Sequence, residues 1–589
     1  MPEIVNGGSS NQPPKEMSME LRLLVAFLLM GAVMFLTPYL FKSQAPVAPA
    51  GHNPGQKAQT AAEGSGVRGQ GSGTPAAGTE TAKTASPAIA APSSSAPVAP
   101  ATAQQTLPPY VIQTNLFRVA ISNQGATVRS WQLQKFKGND NKPLELVNTV
   151  SGLPYPFSLS FPEQKPTTDV NWAWFQQTPD ADGLGVKYEF SDGHTVVRKS
   201  FRFQKDSYLA TVSTDVTVDG KPVRAKIQWL GGFGDLTVSN PSSNQQALYF
   251  DVAQNKLVQQ TARSVKNGPV TASGEFSFAG VADRYFAAVF LPQGNTAMEL
   301  TTTADTVRTP VEEKPAAFPG IAVSTGTSNR FDVFVGPKDL DILARVNPKL
   351  TQVVDFGFFS ILAKPLFLIV NWTNDALVHN FGWSIVLVTI AITFILFPLR
   401  LSNMKSMRKM QALKPQIDAI NAKYKNLKMT DPRKAEQQQE TMELYKKHGV
   451  NPMGGCVPML IQLPFFYAFY KVFTVSVEMR GAHWLWVTDL SQPEQFAIKV
   501  LPLLMIASQF LMQKMTPQAP GGDPNQQKMM MFMPLIFGYM FWFFPSGLVL
   551  YYLTSNLVSM GQQWFFNRTE LAQEAARSVE PPRKKNGRK

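Results

Sequence analysis

Five apolar runs follow one another between residues 381 and 566, at about Phe381–Leu399, Val457–Val475, Phe496–Met512, Met529–Phe544 and Leu548–Phe566. Stretches of roughly 17–25 mostly apolar residues are the length a helix needs to cross a bilayer. Nothing else in the chain restricts its fold as severely, because backbone inside a bilayer must satisfy its own hydrogen bonds. A sixth run, Leu21–Phe41, lies near the N-terminus. It is longer than a signal-peptide core, so it reads as an uncleaved anchor although Ala45-Pro-Val-Ala-Pro-Ala50 follows it. The expectation is a polytopic α-helical membrane protein with six spans.

The basic residues support that reading and set its orientation. The 589-residue chain carries a net charge of +14, concentrated between Arg400 and Lys447 and in the tail Arg583–Lys589. Lys and Arg beside spans mark the cytoplasmic side. With residues 400–450 and 567–589 inside, six spans place residues 1–20 inside as well, and everything between Phe41 and Phe381 outside. The loop Glu478–Gln495, with Trp484 and Trp486, then falls at the outer interface, where tryptophan is favoured.

Between the anchor and the helical region the composition changes twice. Residues 42–107 are rich in Ala, Pro, Ser, Thr and Gly and poor in large apolar residues, so they cannot offset their ordering entropy and read as a disordered linker. A flexible coil of that length has an r.m.s. span of about 45 Å. Residues 108–350 then alternate with period two, as in Phe117-Arg-Val-Ala-Ile-Ser, Val186-Lys-Tyr-Glu-Phe and Arg330-Phe-Asp-Val-Phe-Val. Turn signals such as Asn123-Gln-Gly, Ser191-Asp-Gly and Val218-Asp-Gly punctuate them, which indicates an antiparallel all-β sandwich. Residues 351–380, with Lys364-Pro365 interrupting an apolar stretch, fit an interfacial amphipathic helix better than a span.

No catalytic constellation emerges. The single cysteine, Cys456, excludes an internal disulfide, and the five histidines are scattered without metal-ligand spacing. No Gly-rich phosphate loop is present, and the expectation is a protein that is not an enzyme and uses neither cofactor nor metal. A secondary transporter would show paired, broken repeats around a midplane site. A binding module with a passive anchor would not need five further spans. Both alternatives fit less well.

The spans carry polar residues at one depth. Thr393, Gln462, Gln509 and Asn556 each lie within about eleven residues of the cytoplasmic end of their run, or roughly 16 Å. Polar groups in lipid are costly and face the bundle interior or a wet cavity. Interhelical hydrogen-bond glue and a polar recess in the inner leaflet both account for them. The short Met529–Phe544 run, roughly 24 Å long, favours the recess with a locally thinned bilayer. The loop from Met404 to Gly449 reads as a helical hairpin turning at Leu427–Pro432, with Met404, Met407 and Met410 packing within it.

Several long motifs resemble the YidC/Oxa/Alb family of membrane protein insertases. They are Asn451-Pro-Met-Gly-Gly-Cys-Val-Pro-Met-Leu-Ile-Gln-Leu-Pro464, Gln513-Lys-Met-Thr-Pro517 and Phe544-Pro-Ser-Gly-Leu-Val-Leu-Tyr-Tyr552. Phe381-Gly-Trp-Ser-Ile-Val, Phe397-Pro-Leu, Ala282-Asp-Arg-Tyr-Phe-Ala and Phe334-Val-Gly-Pro match as well. The resemblance implies a β-supersandwich periplasmic domain and a five-helix core with a groove open to cytoplasm and lipid. It implies insertion of nascent membrane proteins, alone or with the Sec translocon (SecYEG, SecDF), with the ribosome and membrane lipids as partners. Carried over by position, Thr389, Phe466, Tyr551 and Tyr552 line the substrate path, beside Thr393, Gln462, Gln509 and Asn556. One position departs from the family. The arginine usually found five residues before the Phe-Pro-Leu proline is Thr393 here, and Arg400, seven residues on, is the candidate cation at the groove mouth.

Overall fold

The computed structural model describes residues 106–569 apart from 151, 239–240, 295–296, 310–313, 426–432, 451–456 and 517–523, together with residues 574 and 577. The N-terminal anchor, most of the linker, Cys456, the hairpin turn and the basic tail lie outside the described residues.

The described residues of Tyr110–Pro337 are strands, turns and loops apart from one 3-10 turn at Pro241–Asn244. The strands form a ten-stranded and a five-stranded antiparallel sheet, with a four-stranded sheet from Tyr110 to Glu145 beside them. Alternation is the cause: in Leu209–Val218 every second residue is buried, and Thr195–Phe203 follows the same pattern. Turn chemistry closes the hairpins. Asp219 and Gly220 both have positive φ (49° and 74°), the type I′ geometry that brings Lys221 opposite Val218. Between the two large sheets the inner faces meet in an aromatic layer. Phe157 packs edge-on against Phe201, Trp229 and Phe290, with ring centroids 5.5–5.8 Å apart. A lysine is sealed inside. Lys199 donates to the carbonyls of Gly125 and Phe157 at 2.8 Å each, and burial lowers its pKa to about 7.

Helices follow the sandwich: α1 (Leu340–Val346), α2 (Ser360–Thr373), α3 (Phe381–Ile395), α4 (Phe397–Ala412), α5 (Lys414–Lys423), α6 (Arg433–Lys447), α7 (Val457–Val475), α8 (Val500–Met515), α9 (Pro524–Phe541) and α10 (Ser546–Arg568). Helix α2 buries Ala363, Leu366, Phe367 and Val370 and exposes Ile361, Leu368, Ile369 and Trp372, a two-faced pattern. The segment Ser360–Val378 meets α3 at a bend of 115°, so α2 runs across the direction of α3. Among the described residues no single helix is both long and apolar enough to count as a crossing; the α2–α3 pair qualifies only jointly. The expected span Phe381–Leu399 breaks before Pro398 and leaves α3 only 15 residues, α8 starts at Val500 rather than Phe496, and polar side chains interrupt α7 and α10.

Helices α5 and α6 run as a pair, tied by Tyr424 Oη donating to Glu440 (3.0 Å) and Gln437 Nε2 donating to Asn421 (2.6 Å). Met410, Leu413, Ile417 and Tyr445 form their small core, while Met404 packs on Phe566 of α10. The three methionines therefore serve packing at two different sites.

Candidate functional site

The polar residues of the helical core converge on α10. Tyr552, Asn556, Ser559 and Gln563 recur at spacings of four, three and four, which places them along one stripe of the helix. Across from that stripe lie α3, α4, α7 and α8.

Three cross-helix contacts organise the site. From α7, Gln462 Nε2 donates to Tyr551 Oη at 2.7 Å, and the Tyr551 ring stacks on Phe469 with centroids 4.2 Å apart. From α10, Asn556 Nδ2 donates to Ser508 Oγ (3.0 Å) and Gln509 Oε1 (2.9 Å) on α8. Gln562 Nε2 donates to the Thr393 carbonyl at 3.3 Å, leaving its own Oε1 buried without a partner. Each contact joins two helices, and each uses hydrogens that an incoming polar segment would also use.

The threonines behave differently. Thr389 Oγ1 donates to the Ile385 carbonyl (2.6 Å) and Thr393 Oγ1 to the Thr389 carbonyl (2.7 Å), so both hydroxyl protons are spent within α3. Both residues are buried. Phe466 stands apart from the hydrogen bonds: it packs edge-on against Phe541 and Phe544 in an aromatic cluster that continues to Tyr552.

Arg400 opens α4 just past the α3–α4 joint. Its Nη1 donates to Ser559 Oγ on α10, and it lies within electrostatic reach of Tyr552. Among the described residues no carboxylate pairs with it. A guanidinium has five N–H donors, so one hydroxyl partner leaves most of its capacity open to an anion or water. The sequence pointed to Arg400 but not to Ser559. The stripe Tyr552–Asn556–Ser559–Gln563 was the signal available for finding it.

Residues 110–369 match the family described as YidC periplasmic domain, and residues 372–574 match the 60Kd inner membrane protein family. The membrane protein insertase YidC of Aromatoleum aromaticum is 33% identical over 496 residues, covering 80% of this chain and 86% of that protein. The insertase YidC of Cupriavidus necator is 34% identical over 486 residues, covering 80% and 84%. The chain belongs to the YidC family of membrane protein insertases. Among solved structures, an active YidC insertase with its first transmembrane domain resolved is 21% identical, with a TM-score of 0.34, covering 79% of this chain and 95% of that one. At that TM-score the likeness carries no positional detail. The family identity makes this chain an inner-membrane insertase with a β-rich periplasmic domain, acting on nascent membrane proteins. The transporter and anchored-module alternatives give way to it.

Proposed function

We propose that the α10 stripe and its partners form the path along which a nascent segment enters the bilayer. The observation that carries this reading is the concentration of exchangeable polar contacts on α10: Gln462–Tyr551, Asn556–Gln509, Gln562–Thr393 and Arg400–Ser559. A polar segment moving between these residues trades one hydrogen bond for another rather than facing hydrocarbon, where an unmet polar group costs several kcal/mol. The apolar wall from Phe466 to Tyr552 accepts the hydrophobic part of the same segment.

The finer arrangement belongs to the same proposal. Leu21–Phe41, α3, α7, α8, α9 and α10 supply six spans, the last five making the insertase core, with both termini cytoplasmic. Helix α2 lies at the outer interface, supported by its two-faced burial and its 115° bend from α3. Lipids contact its apolar face. The basic α4–α6 region faces the ribosome, and insertion proceeds alone or with the Sec translocon.

In this path Arg400 supplies the resident charge and Thr393 supplies only its carbonyl. The test is insertion of two small substrates that differ only in the acidity of their translocated tail. Arg400→Ala slows the acidic-tailed member by roughly tenfold, the value of one charge-assisted contact, and spares the neutral one. Thr393→Ala leaves both unchanged. Equal slowing of both substrates by Arg400→Ala would reduce Arg400 to a positive-inside anchor.

A further inference from the structure

The outer ends of the core helices meet in one loop, residues 476–495. Asn380, the N-cap of α3, donates from Nδ2 to the His483 carbonyl (3.1 Å), and Gly382 leaves no room for a Cβ against Trp484. The first amide of α10, Ser546 N–H, donates to the Gln492 carbonyl (2.8 Å), and the next, Gly547 N–H, to that of Leu490 (2.9 Å). Glu494 accepts from Leu501 N–H in the first turn of α8 (2.9 Å) and from Trp486 Nε1 (3.0 Å). One short loop therefore ties three helix N-termini to the C-terminal end of α7.

The same loop reaches the sandwich through Arg480. Arg480 Nη2 donates to Asp235 Oδ2 and to the Lys137 carbonyl (2.9 Å), and its guanidinium lies over the rings of Tyr285 and Phe286. With side chains 8% and 1% exposed, this is the most deeply buried ion pair among the described residues. Asp235 is set in place beforehand. Its Oδ1 accepts from Thr237 N–H and Oγ1, and its own N–H donates to Asp283. Asp283 in turn accepts from the amides of Tyr285 and Phe286, and Lys338 Nζ donates to its carbonyl. The Ala282-Asp-Arg-Tyr-Phe motif is thus the seat on which Arg480 lands.

We propose that the Arg480–Asp235 pair is a latch that fixes the orientation of the β domain on the helical core. The covalent connection through residues 338–359 lets the β domain swivel unless contacts with the loop hold it, and the Arg480–Asp235 pair is the buried ionic one among those contacts. Because removing one partner leaves the other charge buried and unpaired, either single substitution is expected to release the latch.

The test uses the full chain in lipid vesicles, with Cys456→Ser and nitroxide labels at Lys187→Cys on the sandwich and Leu485→Cys on the loop. The latched chain gives one narrow distance distribution. Arg480→Ala and Asp235→Asn each broaden it, and Arg480→Lys, which keeps the charge, stays narrower than Arg480→Ala. Asp235→Asn preserves side-chain shape and the Thr237 contacts, so it reports on the ion pair even where Arg480→Ala lowers the yield. Insertion of a small substrate continues in all three, since the polar stripe lies elsewhere; its loss would count against the path proposed above and not against the latch. A distribution that stays narrow in Arg480→Ala or Asp235→Asn overturns the latch, as does an Arg480→Lys variant as broad as Arg480→Ala.

Discussion

The sandwich and the helical core both bury polar groups, and several in each differ in the kind of partner that holds them. In the sandwich, Lys199 is enclosed by backbone carbonyls and Asp283 by backbone amides, partners that cannot leave without unfolding a turn. In the helical core, Gln462, Tyr551, Asn556, Gln509 and Arg400 pair with other side chains, which can swing to a new partner by changing rotamer. Backbone partners make a rigid domain. Side-chain partners make a surface whose hydrogen bonds can be exchanged for those of a substrate. An insertase needs both properties and keeps them in separate regions.

The largest effect expected from this contrast lies in the sandwich. Phe290 is fully buried against Phe157 and Phe331, so Phe290→Ala removes about 3–5 kcal/mol from the β domain's unfolding free energy. Denaturant unfolding monitored by tryptophan fluorescence measures the loss. Insertion per folded molecule is expected to stay at the parental rate, and a matching fall in insertion would erase the division between the two regions.

A middling effect is expected at Asn556. Replacing it by Leu removes both hydrogens that hold Gln509 and Ser508, contacts worth roughly 0.6–2 kcal/mol, or about a threefold to thirtyfold change in rate. The comparison predicts that the loss appears as slower insertion. Lower thermal stability with unchanged insertion would instead identify these contacts as interhelical glue.

A further effect concerns pH at the junction of the two regions. Burial, with Asp339 and Asp341 close by on the sandwich side, pushes the Glu478 carboxyl up to about 8 from an ordinary value near 4.5. Folding then takes up a proton between those two values. The stabilising contribution is present at low pH and is lost as pH rises through about 8. A melting temperature that falls between pH 5 and pH 9, with a shallower fall in Glu478→Gln, is the expected record. Equal slopes would exclude Glu478 as the source.

Much of this organisation was legible in the sequence, and the reasons are local. Alternation over Leu209–Val218 and the Asp219-Gly220 turn specify strands and their hairpin without help from distant residues. The family motifs carried the insertase function, and apolar runs located α3, α7, α8, α9 and α10 to within a few residues. What stayed hidden depended on contacts between distant segments. Arg480 is one more charged residue in a loop until the fold brings it to Asp235, 245 positions earlier. Thr389 and Thr393 read as lining the substrate path because sequence does not reveal that each bonds the carbonyl four residues back. Ser559 gained meaning only when the α3–α4 joint brought Arg400 beside it.

The central claim is that the side-chain-paired stripe on α10 is where substrate passes. The most direct test places a photo-activated cross-linker at Gln509 or Tyr552 in the full chain, and at Ile395 or Ile536 as outward-facing controls, 75% and 62% exposed. A stalled nascent membrane protein is then irradiated in each variant. The account predicts adducts from Gln509 and Tyr552 and few from the two isoleucines. Equal yields from all four positions, or stronger yields from the controls, would contradict it.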